Sequence, residues 1–302
     1  MKKLSILFFA FLFAMQLHAQ QDPQYTQYMY NMNVLNPAYA GSTETISIGA
    51  LYRTQWNSLE GAPETATLSI HSPVGRQVGL GLSIIKDEIG PVSETNAYAD
   101  FSYTVPLANS HKLAFGIKAG ATFHDIGLSN RVVLDQDDPF VTDINSVTPN
   151  IGAGIYFYKT NKYYASLSMP NMMNSVHIDR QGNKIGSEVQ HLFATAGYVF
   201  DLSENYKLKP HTLVKMSSES PVSFDINANL FMYDFVELGL GYRLQDSFTG
   251  MVNFLVTPGL RIGYAYDNIV SDLNIATSGS HEVFISFDIK KYKKVSNSPR
   301  FF

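Results

Sequence analysis

Ser278, Ser280, His281 and Glu282 stand together in "SGSHE", setting hydroxyls, an imidazole and a carboxylate side by side. Acyl transfer needs such groups within mutual hydrogen-bond reach, with a nucleophile, a base and an orienting partner. In an extended chain, however, neighbouring side chains point to opposite faces, and no G-x-S-x-G elbow accompanies the run. The reading is therefore non-enzymatic, and a lipid hydrolase is the one catalytic class worth an assay. His71, His111, His124, His177, His191, His211 and His281 are scattered singly, without H-E-x-x-H or H-x-H spacing, so no zinc site is expected. Asp135, Asp137 and Asp138 in "DQDDPF" would suit Ca²⁺ in charge, yet they miss the spacing and glycine of an EF-hand and read as a solvated loop. The pairs "GLG" (79–81), "GAG" (152–154) and "GLG" (239–241) lack the third glycine and the helix of a nucleotide fingerprint. In strands such glycines relieve crowding against whatever fills the space beside them. No cofactor is expected.

The elements that carry these residues are strands. In "VELGLGYRL" (236–244), Val236, Leu238, Leu240, Tyr242 and Leu244 alternate with Glu237, Gly239, Gly241 and Arg243. A period of two places the first set on one face and the second on the other. The same alternation marks 46–52, 65–70, 78–84, 97–105, 113–123, 151–157, 163–169, 192–200, 206–215, 222–230, 248–256, 260–266 and 283–289. That makes about fourteen strands, and no segment shows helical spacing.

The apolar parity carries no Asp, Glu, Lys or Arg in any of these segments. The other parity collects Arg53, Asp100, Lys118, Lys209, Lys215, Asp225, Glu237, Arg243 and Arg261 among small polar residues. A soluble sandwich would bury its apolar face, whereas a transmembrane barrel turns that face to lipid and keeps its charges in the lumen. Connections after even-numbered strands are short, as at 71–77, 107–112, 159–161, 202–205 and 232–234. Those after odd-numbered strands include every long one: 53–64, 86–94, 124–150, 170–190 and 267–282. Short turns on one rim and long loops on the other are the habit of outer-membrane barrels, with the short ones periplasmic. An even strand count sends both termini to that periplasmic side. No stretch after residue 20 approaches the roughly twenty apolar residues of a spanning helix.

The ends of the chain agree with export. Lys2 and Lys3 precede "LSILFFAFLFAMQL", and Ala19 offers a small residue for cleavage, so 1–19 reads as a signal peptide. The chain has no cysteine, so neither a lipid anchor on Cys nor a disulfide staple is available. Loss of the two lysines takes the formal charge from -4 to about -6, which argues against nucleic acid. Tyr and Phe (18 and 20) gather near strand ends, as in 156–158, 163–164 and 231–235, where an interfacial girdle would use them. Residues 20–43 hold Tyr25, Tyr28, Tyr30 and Tyr39 in an Asn/Gln-rich context, more aromatic than a floppy leader, and read as a plug entering the lumen or lying on the periplasmic rim. The barrel proper spans 44–290. The basic end 291–302 is either a solvated tail or a docking peptide.

Six ordered motifs, "DPQYTQYMYNMNVLNPAYAGS" (22–42), "YRTQWNSLEGAPETATLSI" (52–70), "GLGLSIIKDEIGP" (79–91), "HLFATAGYVF" (191–200), "LKPHTLVK" (208–215) and "GYAYD…GSHEVFISF" (263–287), make the chain resemble the PorP/SprF family of type IX secretion membrane proteins of Bacteroidetes. The resemblance implies an all-β, transmembrane antiparallel outer-membrane barrel that binds or anchors secreted surface proteins, such as gliding adhesins, or links to the periplasmic machinery. Its implied partners are secreted type IX cargo or a cell-surface protein, periplasmic ring and peptidoglycan-binding proteins, and outer-membrane lipid. The alternative is a channel or a transporter of hydrophobic substrates. The family motifs fall on Tyr25, Tyr28, Asn36, Pro37, Tyr39 and Gly41 in the leader and on Arg53, Trp56, Gly61 and Pro63 around the first long loop. These residues either pack a plug and pin the loop or contact cargo, roles that Arg and aromatic side chains both serve.

Overall fold

The computed structural model describes residues 23–43, 45–127, 143–173, 176–180, 183–187, 189–217, 220–271, 277 and 279–290. The expected signal peptide, the 135–140 acidic run and the basic end 291–302 lie outside them. The strands are β1 (Thr45–Thr54), β2 (Glu64–Pro73), β3 (Val78–Ile89), β4 (Val92–Pro106), β5 (Lys112–Ile126), β6 (Ile144–Lys159), β7 (Tyr163–Met169), β8 (Val176–Arg180) and β9 (Asn183–Ser187). They continue with β10 (His191–Tyr198), β11 (Phe200–Asp201), β12 (Tyr206–Ser217), β13 (Ser223–Met232), β14 (Val236–Arg243), β15 (Ser247–Thr257), β16 (Leu260–Ile269) and β17 (Ser280–Lys290).

Sequential antiparallel pairing closes on itself. β1 pairs with both β2 and β17, from Thr45 opposite Lys290 to Thr54 opposite His281. At the far side β10 pairs with β7 and β12, and β11 merely continues β10 past Val199. The result is a closed barrel of 14 strands with β8 and β9 as a separate hairpin in the 170–190 connection. Among the described residues no helix is long and apolar enough to cross a membrane. A closed barrel meets the same need by pairing every strand with two neighbours, which leaves no edge in the lipid.

Alternation assigns the faces as expected. Leu238 and Leu240 are 49% and 74% exposed, whereas Glu237 between their neighbours is fully buried and Arg243 is 6% exposed. The outside is thus apolar and the inside polar, the inverse of a soluble sandwich.

Three expectations change. The 86–94 stretch is no long loop: β3 runs to Ile89, β4 starts at Val92, and Gly90 (φ 58°) with Pro91 makes a two-residue turn. Both faces are polar there, which masked the alternation; β3 to β6 are 12, 15, 15 and 16 residues long against 7 for β7, so one wall stands taller than the other. The aromatic clusters are split by the pleat. Phe157 and Tyr163 are on the outside with His111 stacked beside them, whereas Tyr156, Tyr158 and Tyr164 pack inward with Tyr39. Finally, the leader contains a single-turn helix α1 (Met32–Leu35) between 3-10 turns at Tyr28–Tyr30 and Pro37–Tyr39. Pro37 presets the second turn, and the Asn36 side chain caps it by accepting the Ala38 N–H at 2.9 Å.

Candidate functional site

Residues 23–43 carry no Asp, Glu, Lys or Arg, and from Tyr25 to Ala38 nearly every residue is buried. Their partners are the inward-facing residues of strands on every side of the barrel. Three buried ion clusters of the wall each receive neutral groups from this segment.

The first cluster joins β1, β16 and β17. Arg53 Nη1 lies 2.8 Å from Asp267 Oδ2 and 3.4 Å from Glu282 Oε2, and all three residues are at most 2% exposed. The leader completes the site. Thr26 Oγ1 accepts from Arg53 (2.6 Å) and donates to Asp267 (2.7 Å), while the Thr26 and Gln27 N–H groups donate to the two Glu282 oxygens at 2.8 and 2.7 Å. Nearby, Arg243 clasps Asp225 at 2.8–3.0 Å and donates to the Gln24 side-chain carbonyl at 3.0 Å. A guanidinium suits this role because its planar fork serves several acceptors at once.

The second cluster lies toward the short turns. Glu237 accepts from Lys209, from Arg261 (3.4 Å) and from Asn229 (2.7 Å), and the Tyr30 hydroxyl donates to it as well. The Arg261 guanidinium also covers the Tyr30 ring at 4.6 Å, a cation–π contact strengthened by burial. In the third cluster Lys118 pairs with Asp100 at 3.2 Å and donates to the Val34 carbonyl at 3.2 Å, and Asn33 donates to Asp100 at 3.3 Å. Every wall charge in these clusters has a wall partner of opposite sign. Taking such charges from water is costly unless they are paired and hydrogen-bonded; each of these groups is paired and holds at least one hydrogen bond, while Arg53 Nε is left without one.

Apolar packing fills the space between. Tyr25, Tyr28, Met29, Val34 and Leu35 form one cluster with Leu51, Ile85, Tyr98, Phe193, Leu213, Met251, Ala265 and Phe284 of the wall. The Tyr28 hydroxyl accepts from Asn227 at 3.3 Å. The glycines divide. A Cβ on Gly116 or Gly154 would strike the leader backbone at Pro37–Ala38 or the Asn36 side chain, as the crowding argument expects. Gly239 and Gly241 instead make room for Asn229 and Asn227 of the wall itself.

The motif residues separate into two groups. Tyr25, Tyr28, Asn36, Pro37, Tyr39 and Gly41 meet the wall with Arg53: Asn36 donates to the Ile155 carbonyl at 3.1 Å, Tyr39 packs on His71 and Tyr156 at 5.2 and 5.4 Å, and the Gly41 N–H donates to His71 at 3.2 Å. Gly41 holds a φ of 70° with Gly79 so close that no side chain fits. Trp56, Gly61 and Pro63 lie apart, in the 55–63 loop. There the Trp56 N–H donates to Ser280 (3.3 Å), the Pro63 carbonyl accepts from Gln55 (2.9 Å), and Gly61 (φ 74°) accepts from the Gly90 N–H (3.0 Å). Within "SGSHE" the described His281 and Glu282 diverge as strand geometry requires: His281 meets the outward Tyr264 hydroxyl at 2.7 Å, and Glu282 faces the leader.

Asp267 escaped the sequence reading, and Glu282 entered it only through "SGSHE" and not as a lumen-facing carboxylate. Each lies one residue beyond a strand as drawn from alternation, yet each continues the inward parity of its strand, and that was the available signal.

The sequence profile of the type IX secretion system membrane protein PorP/SprF matches residues 17–287. The chain belongs to the PorP/SprF family. No curated protein matches it. Among solved structures, the Ralstonia pickettii toluene transporter TbuX is similar at 10% identity (TM-score 0.51, covering 85% of this chain and 92% of that one). The CymD monoaromatic hydrocarbon channel is similar at 10% identity (TM-score 0.51, 87% and 92%), and the Acinetobacter baumannii outer membrane protein Omp33 at 8% (TM-score 0.50, 81% and 98%). At such identities the likeness is one of fold alone. This PorP/SprF chain is thus an outer-membrane β-barrel of a type IX secretion family, and both family and fold are of a non-catalytic kind.

Proposed function

We propose that this PorP/SprF protein is a sealed docking scaffold, which anchors secreted type IX cargo or a cell-surface protein at the outer membrane and engages periplasmic ring and peptidoglycan-binding proteins. In this reading 1–19 is removed on export, 20–43 plugs the barrel formed by 44–290, and 291–302 extends into the periplasm. The observation that carries it is the burial of the leader against the wall: Tyr28, Gln27 and Asn36 are 0% exposed. Among the described residues, a cavity beside the leader, lined by Pro23, Tyr25 and Val34, has a volume of about 60 Å³, room for a few waters. A barrel so filled acts through its rims. Tyr25, Tyr28, Asn36, Pro37, Tyr39, Gly41 and Arg53 serve the seal, and the half-buried Trp56, on a loop held by Gly61 and Pro63, serves partner contact. Tryptophan combines large apolar area with few rotatable bonds, which suits an anchor.

The test has two arms. Crosslinking in intact outer membrane followed by pull-down recovers a secreted surface protein or periplasmic ring proteins, and liposomes bearing the full-length chain remain impermeable to small sugars. Free swelling of those liposomes without any recovered partner overturns the scaffold in favour of a channel or hydrophobic-substrate transporter.

A further inference from the structure

The leader has a direction within the barrel. Gly41 sits at the short-turn rim, pressed against Gly79 and Pro73. Tyr30 is also on that side, beside Glu237 and Arg261 at the starts of β14 and β16. Thr26 has moved to the other half, where Arg53, Asp267 and Glu282 mark the long-loop ends of β1, β16 and β17. Gln24 reaches Arg243, the last residue of β14. Pro23 and Tyr25 line a cavity with Asp87, Glu94 and Pro170, all beside the connections of the long-loop rim.

We infer that the polypeptide is threaded through its own barrel, so that the mature N-terminal end is held at the long-loop mouth while β17 ends at the opposite rim. The expectation that both termini share the short-turn side holds for the barrel strands, since Thr45 pairs with Lys290, but the leader carries the chain start away from it. Reach makes the arrangement one-way. With cleavage after Ala19, residues 20–22 precede Pro23, and three residues span at most about 11 Å. The apolar band of such a barrel is about 25 Å tall. The lumen on the way back is filled by Gln27, Tyr28 and Tyr30, so the end has no path to the short-turn rim. A partner outside the cell therefore meets the leader end-on, and a periplasmic partner meets the short turns and the chain that follows β17. The inference rests on the proposed orientation, with the long loops outside.

The absence of cysteine makes the test clean. Single variants Q24C, E60C and S203C are placed in the outer membrane of live cells and treated with a membrane-impermeant maleimide–polyethylene glycol, read as a gel shift. Arg243 keeps Asp225 and Asp246 when Gln24 is replaced, so Q24C retains the local fold. Q24C and E60C are expected to shift in intact cells, and S203C only after the outer membrane is permeabilised. Q24C behaving like S203C while E60C still labels in intact cells overturns the threading. E60C and S203C exchanging behaviour overturns the orientation instead. Should Q24C resist the reagent in both conditions, an epitope inserted between Gln20 and Gln21 decides: antibody binding to intact cells supports threading, and binding only after permeabilisation refutes it.

Discussion

Replacing Arg53 by Met removes the cation shared by two carboxylates in the interior of the barrel. Asp267 and Glu282 are 2% and 0% exposed, so neither can recover its loss by moving into water. Breaking a buried pair from one side costs about 3–5 kcal/mol, because the partner charge remains. Here the lower end applies, since Glu282 keeps the Thr26 and Gln27 N–H donors and Asp267 keeps the Thr26 and Thr249 hydroxyls. About 3 kcal/mol corresponds to roughly a hundredfold shift in the folding constant. Urea titration of the barrel refolded in lipid vesicles, followed by loss of the compact band on unheated gels, measures it. The double variant R53M/D267N deletes one charge of each sign, and the side-chain amide that replaces the carboxylate can still accept from Thr249 while donating to Thr26. It is expected to recover at least half of the loss. An R53M cost below about 1 kcal/mol, or a double variant as unstable as the sum of its parts, refutes the electrostatic account and leaves only the packing of the Arg stem.

Three further outcomes follow from the same geometry. Gly154→Ala forces a methyl into the Asn36 side chain and is expected to cost about 1–3 kcal/mol, whereas Gly250→Ala, with open space around it, is neutral in the same urea assay. Leu240→Arg places a charge on the lipid face of β14 and is expected to cost about 2–4 kcal/mol in vesicles, with little effect in a detergent whose micelle admits water. Deletion of residues 23–43 leaves the wall ion pairs intact, so the barrel still assembles but conducts ions in planar bilayers. A silent deletion variant would show that another segment closes the lumen.

Much of the architecture was legible because a barrel is a repetitive solution. Each strand obeys the same period, and Glu237 and Arg243 against Leu238 and Leu240 state in nine residues which face is wet. The exceptions have physical causes. The Ile89–Val92 turn was hidden because β3 and β4 rise beyond the apolar band, where both faces tolerate polar residues. The inward placement of Asp267 and Glu282 was hidden because strand ends fray into polar connections, so a one-residue error in a boundary conceals an inward carboxylate. Gly239 and Gly241 relieve crowding, as their alternation with apolar residues suggests, but that the crowding groups are the cross-strand neighbours Asn229 and Asn227 is a pairing that only register reveals.

The amino-acid order by itself determined the class of structure, the strand count, the polarity of each face and the uncharged, tyrosine-rich character of the leader, since all of these depend on local spacing and composition. Only the tertiary structure decided which wall charges neutralise one another, that Trp56 stands apart from the leader, and that Thr26 meets Glu282 while Gly41 meets Gly79. Those features arise between residues up to 256 positions apart, as in the Thr26–Glu282 contact, and no local pattern encodes the closure that brings them together.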